Sequence, residues 1–314
     1  MLSMNRLTTE QRAQILGLMV EGMAIRAISR MTGASKNTIA KLLIDAGRAC
    51  SDFQDRALRE LPCKVLQLDE IWSFVGAKEK NVPAERKGLG IGDVWTWTAI
   101  CSDTKLIPSW FVGNRDIEHA SAFVLDLKGR LGNRVQITSD GHKPYLKAVP
   151  AAFGDDVDYA MLVKIYGHPT NSPEAHRRYS PTPCLGAKRQ AMIGNPDMSK
   201  VSTSHAERMN LNIRMGLRRF TRLTNAFSKK MENHTHALSI YFMFYNFVRI
   251  HQTLRVTPAM AAGVTDKLWS LTDMVRIVDE YEQGQLAAPT REFGGLTSYT
   301  RRLEHVNRRG KTGK

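Results

Sequence analysis

Apolar positions in the first fifty residues recur at helical spacing. Ile15, Leu16, Met19 and Val20 mark one amphipathic helix. Thr8 and Gln11 stand three residues apart at its start and can cap each other's backbone N–H groups. Gly22 ends that helix. A second is predicted over residues 24–32, Gly33 supplies a turn, and Ser35 caps a third helix over 36–46 that Gly47 stops. Residues 48–62 read as a polar helical linker ending at Pro62. Beyond it the period changes. LQLDEIWSFVG (66–76) predicts a strand, and 92–105 and 106–116, rich in Trp, Thr, Ile and Val, predict two more joined in a hairpin around Ser102 to Lys105. A helix over 117–132 follows, then a strand over 133–141 holding an acid near its end, a helix over 143–149 and a fifth strand over 158–167. Residues 168–202 contain five prolines and read as a long loop. Helices resume at Ser204, and the aromatic segment 237–248 predicts a core helix rather than a base-stacking platform. The pattern predicts an α/β protein in which helices flank a mixed five-stranded sheet, preceded by a small all-α unit.

A chain of 314 residues has room for one large domain and a small accessory one. The expected division is 1–50, a linker 51–63, a main domain 64–264, and a helical and basic tail 265–314. Charge sharpens the picture: 45 Lys and Arg against 30 Asp and Glu leave a formal net charge of +15. Such a surplus favours an extended polyanion, because each neutralised phosphate releases bound counterions. Four scattered cysteines without a CxxC pair argue against a zinc site or a disulfide framework and suit a reducing compartment. No apolar run approaches the ~20 residues of a membrane span, and no signal peptide is visible, so a cytoplasmic protein without a membrane partner is expected.

With that charge, a short helix, a Gly-containing turn and a helix opening on polar and basic residues read as a helix-turn-helix. Lys36, Asn37, Thr38 and Lys41 would then face the major groove. The alternative is a three-helix bundle that binds protein.

Three acids stand out. Asp69 lies inside the first strand among Leu66, Leu68, Ile71 and Trp72, where a carboxylate is costly unless a cation compensates it. Glu70 beside it points to the opposite face of a strand. Asp140 ends the fourth strand before Gly141, and Glu207 opens a basic helix. Convergent carboxylates repel when empty and become favourable around hard divalent cations, Mg²⁺ or Mn²⁺, two of which suit phosphodiester chemistry. Each acid also has an ordinary reading: an Arg partner for Asp69, a turn for Asp140, and a capping box with Ser204 for Glu207. Arg214 falls two helical turns after Glu207 and could hold a phosphate; Arg218 extends that stripe, and Arg219 and Arg222 continue the basic run.

These segments resemble the DDE transposases, in particular the insertion-sequence-one family of bacterial transposases. LDEIWSFVGAKEKN (68–81), ITSDGHKPY (137–145) and STSHAERMNLNIRMGLRRFTRLTNAFSKK (202–230) are similar to that family's three catalytic blocks. YNFVRIHQTLRVTPAMA (245–261) is similar to an ending common among DDE transposases, through Tyr245, Asn246, Arg249, His251, Leu254, Thr257 and Pro258. The matches span about residues 64–264; the cysteine-rich zinc segment of some relatives is missing. The resemblance implies a ribonuclease H-like catalytic domain, whose element order the predicted strands and helices follow. It also implies Asp69, Asp140 and Glu207 as catalytic ligands of two Mg²⁺ or Mn²⁺ ions, with Arg214 as the accompanying basic residue. Its implied partners are transposon ends and target DNA, bound by a homo-oligomer, in the simplest form a dimer, at the bacterial nucleoid. Water would nick each end, and the exposed 3′-hydroxyl would attack target DNA without ATP. Two other readings stay open: a transposase-derived DNA-binding regulator with an inert centre, and a non-transposing nuclease of the same fold.

Overall fold

The computed structural model describes residues 7–167, 184–221 and 224–284. Its axis is β1 (Val65–Val75), nearly buried along its whole length because helices cover both faces of the sheet around it. β2 (Gly92–Cys101) runs antiparallel to β1 from Leu66↔Cys101 to Val75↔Gly92, and β3 (Trp110–Gly113) pairs antiparallel with β2. After α4 (Ile117–Lys128), β4 (Val135–Asp140) returns parallel to β1, pairing from Val65↔Gln136 to Leu68↔Ser139. After α5 (Tyr145–Phe153), β5 (Val157–Tyr166) lies parallel to β4. The strand order is β3-β2-β1-β4-β5-β6, a mixed α/β sheet whose first five members agree with the ribonuclease H-like order.

The sixth strand corrects the sequence reading of a five-stranded sheet and of an unbroken loop over 168–202. β6 (Cys184–Ile193) pairs antiparallel with β5 and forms an edge, largely exposed. Its sequence shows no clear alternation because neither face is buried; the open edge of β5 recruits it through backbone bonds.

One face of the sheet carries α4 and α5, with Trp97 of β2 packed against Phe123 and Tyr145. The other carries α6 (Ser204–Gly216). α7 (Met231–Met243) continues through a π-helical turn (Phe244–Val248) and is buried nearly all round, as the aromatic pattern predicted. Among the described residues, α8 (Pro258–Ala261) and α9 (Leu271–Glu282) follow.

At the N-terminus, α1 (Thr9–Val20) begins with the expected reciprocal Thr8–Gln11 capping box. α2 (Ile25–Thr32) ends on Gly33 at φ +73°, a left-handed conformation that glycine adopts without steric cost. α3 then starts from the Ser35 cap but runs over Lys36–Ala57. Gly47 does not stop it, and residues 51–57 are its last turns rather than a linker. The glycine serves packing instead: a Cβ there would lie 2.4 Å from Cβ of His236, so its absence lets α3 press against α7. Ser239 donates to the Gly47 carbonyl at 2.9 Å, and Gln54 donates to the Ser239 carbonyl at 3.1 Å. α9 packs on α1 and α3 through Met274, Val275, Ile277 and Val278, while Arg12 holds Asp279 through two bonds of 2.7 and 2.9 Å. Helices at both ends of the described chain thus share one hydrophobic core with the sheet.

Candidate active site

Asp69 sits mid-strand in β1, opposite Thr98 of β2. Leu68 lies beside Ser139 of β4, so the next residues, Asp69 and Asp140, are neighbours on parallel strands and alternate to the same face. Asp69 Oδ1 accepts from the Glu70 N–H at 2.8 Å, and Oδ2 accepts from Asn210 Nδ2 of α6 at 2.8 Å. Burial first, then the like charge of Asp140, then that of Glu207 push the Asp69 carboxyl up to about 7, against the opposing Glu70 N–H and Lys164. Asp140 is half-buried, and its Oδ1 accepts the His142 N–H at 2.9 Å.

Glu207 lies in the first turn of α6, whose position is set by β1. Gln67, on the same face as Asp69, accepts from the N–H groups of His205 and Ala206 at 2.8 and 3.1 Å. A strand side chain therefore caps the helix and satisfies two of its free donors. The capping box once open for Glu207 does not form: Thr203 is the cap residue and Ser204 the first helical one. Instead Glu207 Oε1 accepts from Lys164 Nζ of β5 and from Thr203 Oγ1, both at 2.5 Å. Burial works to raise this carboxyl, but the two bonds outweigh it and hold it below the usual range.

The donor set suits a hard cation. Asp69, Asp140 and Glu207 are hard oxygen donors, and Asn210, whose Nδ2 bonds Asp69, has a buried amide oxygen without a hydrogen-bond partner. Among the described residues, no three His, Cys, Asp or Glu side chains stand close enough to enclose a metal as they are. Glu207 is engaged instead by Lys164 and Thr203.

Glu70 faces the other way. Its side chain is 1% exposed, its Oε1 is paired with Arg115 at 2.7 Å, and its Oε2 accepts from the Tyr145 hydroxyl at 3.3 Å. Burial, followed by Asp140, brings it too to about 7.

The residues expected on DNA fall in different settings. Lys36, Asn37 and Lys41 are exposed on the first turns of α3 and Thr38 is half-buried; Lys41 pairs with Asp45 at 2.5 Å. Arg214 is exposed in the last turn of α6. Arg218 does not continue its helical stripe, because α6 ends at Gly216 and a 3-10 turn spans Arg218–Phe220. Arg219 turns inward and donates to Ser228 Oγ at 2.9 Å and to the Asn233 carbonyl at 2.8 Å; burial lowers its pKa to about 10. Arg222 lies outside the described residues. In the 245–261 segment, Asn246 grips Ile107 through both backbone groups at 3.0 Å, and Tyr245 bonds the Lys105 carbonyl at 3.1 Å. Both brace the β2–β3 connection. Thr257 caps α8 with Pro258 as its first residue.

Sequence reasoning missed Gln67, Asn210, Lys164 and Thr203. Gln67 alone carried a signal, a polar residue two before Asp69 on a strand and so on the same face.

No protein-family model and no curated protein sequence matches the chain. Among solved structures, a cryo-EM structure of a piggyBac transposase synaptic complex with hairpin DNA matches at 12% identity with a TM-score of 0.37, over 96% of this chain and 76% of that one. A likeness that loose carries no weight for function.

Proposed function

We propose that the chain is a DNA transposase that cuts and joins phosphodiester bonds with Asp69, Asp140 and Glu207 as its metal-binding carboxylates. One observation carries this reading: two acids lie side by side on parallel strands, and the helix bearing the third is tied to the same strand by Gln67 and Asn210. Two Mg²⁺ or Mn²⁺ ions there would activate the attacking oxygen and stabilise the leaving one. The chain's own residues supply the rest. Asn210 orients the Asp69 carboxylate, Gln67 fixes the start of α6, and Arg214 on the same helix offers a guanidinium to a phosphate. The exposed start of α3, with Lys36, Asn37 and Lys41, reads the end sequence in the major groove, as in a helix-turn-helix. Two copies bring two ends together, as symmetric pairing allows.

Nicking of labelled end DNA by the purified protein in Mg²⁺ tests the chemistry. Substituting Lys36 and Asn37 with Ala should remove discrimination between end DNA and random duplex, since one polar base contact is worth about 1–3 kcal/mol. Native mass of the complex with end DNA tests the pairing, and one active protein on one end would exclude it. A second reading has one observation behind it. The contacts of Glu207 with Lys164 and Thr203 suit a regulator that binds DNA without cutting, and end binding with no nicking in either metal would establish it.

A further inference from the structure

A groove of about 1280 Å³ opens between the turn joining α1 to α2, the start of α3 and two stretches, Leu217 to Arg219 and Thr224 to Ile240. Arg26, Arg30, Lys36, Lys78, Arg218, Arg219 and Lys229 line it, and no acid does among the described residues. Much of the remaining lining is apolar, including the half-buried Met19, Met23 and Ile25. One side carries an aromatic row. Phe227 stacks on Phe74 with centroids 4.9 Å apart, and Trp72 lies 5.8 Å beyond Phe74. Lys229 sits 3.3 Å over the Phe227 ring, and Lys78 lies 5.9 Å from Phe74 and 5.8 Å from Trp72.

We propose that this groove binds a short unpaired stretch of DNA, its phosphates on the cations and its bases against Phe227 and the apolar floor. Size and charge argue for a polymer, because small-molecule sites measure ~300–1,000 Å³ and a mononucleotide has no use for seven cations. The apolar floor argues for single strand. A duplex turns phosphate and sugar outward and would leave the half-buried Phe227 and Met23 in contact with nothing that gains from them. An unpaired base has two faces to bury, and a cationic groove with interleaved aromatic rings is how single strands are held without sequence preference. Phe74 lies five residues along β1 from Asp69, roughly 16 Å at ~3.3 Å per residue, and the odd step puts its side chain on the Glu70 face, so the groove meets the far end of the strand that bears the candidate acid from its other side. The proposal rests on the transposase reading only for taking DNA as the partner. Opened DNA held there would keep one strand of a transposon end apart while the other is cut.

The test uses the full chain in metal-free buffer, with anisotropy of a labelled oligothymidine of ~12 nucleotides and of a duplex of equal length. Phe227→Ala should weaken oligothymidine binding about tenfold, the size of one base–aromatic stack, and change duplex binding by less than about twofold. Lys78→Ala with Lys229→Ala should weaken the single strand at least as much. Equal losses on both DNAs would reduce the groove to a general electrostatic surface and overturn the proposal, as would unchanged oligothymidine binding. Competition by polyglutamate as effective as that by oligothymidine would make it a docking face for an acidic protein instead. Since Phe227 packs on Phe74, a readout on the unaltered protein guards against misfolding. Photo-crosslinking of a bromodeoxyuridine oligonucleotide should label peptides containing residues 72–78 or 224–229, and labelling confined elsewhere overturns the idea. Asp69→Ala should bind oligothymidine as the parent does, so failure of the nicking chemistry and failure of this site are separable.

Discussion

Asp69 and Glu70 are adjacent acids of one strand, and burial and Asp140 bring both carboxyls to about 7. What separates them is the company each face provides. Glu70 meets a fixed cation, Arg115, and the Tyr145 hydroxyl. Asp69 takes its hydrogen bonds from neutral donors, the Glu70 N–H and the Asn210 amide, and Lys164 opposes only weakly the like charge of Asp140 and Glu207. A shifted acid already neutralised by the protein is a structural pair. On the proposed reading, one left in deficit is where a cation would bind. The size of a shift does not distinguish the two; the list of partners does.

The largest contrast is in catalysis. Asp69→Ala, Asp140→Ala and Glu207→Ala should each abolish nicking, by more than the ~10–100-fold that loss of a contact supporting a ligand costs. Folding and end binding should persist, since Lys and Arg contacts supply DNA affinity. Retained nicking by Glu207→Ala in a gel assay would remove the third ligand and with it the two-metal reading.

A second effect sits deeper on the Asp69 side. His234 lies in the core between Ser73 of β1 and Ser228, and burial lowers its pKa to about 3; burial also lowers His236 to about 4. Both folded values lie below the ordinary ~6.5, so the unfolded chain binds these protons first as pH falls. Their contribution is whole above about pH 6.5 and shrinks below it, by about 2 kcal/mol for each histidine at about pH 5. Denaturant unfolding of the parent and of His236→Gln at the two pH values checks this. A variant that loses as much stability as the parent on acidification would exclude His236 from the effect.

Glu70→Ala should show its cost in stability. It strips the partner from Arg115 and leaves the Tyr145 hydroxyl short of an acceptor, for about 2 kcal/mol, moderated because Arg115 is 39% exposed and can turn to water. Thermal melting would record it, and nicking per folded molecule should fall far less than in Asp69→Ala. If the two variants lose activity equally at full folding, the division between the faces is wrong.

The smallest effect belongs to Gln67→Ala, which frees the His205 and Ala206 N–H groups. It should cost about 1 kcal/mol, and nicking should fall with end binding unchanged, because the helix holding Glu207 loosens. A melting point and nicking rate equal to the parent's would show that the cap positions nothing.

The buried strands were legible because helices on both faces force long apolar runs onto them, and an acid such as Asp69 inside such a run is conspicuous. The edge was not. β6 presents Lys188, Arg189 and an exposed Leu185, and its backbone pairing with β5 leaves no mark in side-chain pattern. Gly47 illustrates a different ambiguity: the residue that ends helices is also the one that lets them touch, and only the position of His236 decides between the two. Arg219 looked like part of a solvent-facing stripe, yet it bonds Ser228 and Asn233, residues whose proximity depends on a turn the sequence does not announce. At the site the three acids could be named, but the contacts that place them, Gln67 to α6 and Lys164 to Glu207, join residues 138 or more and 43 positions apart.

The uninterrupted course of α3 has a mechanical consequence. Its 22 residues make a rod of about 33 Å, at ~1.5 Å per residue. One end presents Lys36 and Asn37 to solvent, and its middle is pressed onto α7 at Gly47. A module on a loose tether could bind its sequence and cut at any reachable distance. A rod seated in the same core as the sheet works as a ruler: on the proposed reading, the interval between the sequence recognised and the bond broken is a dimension of the protein, fixed before DNA arrives.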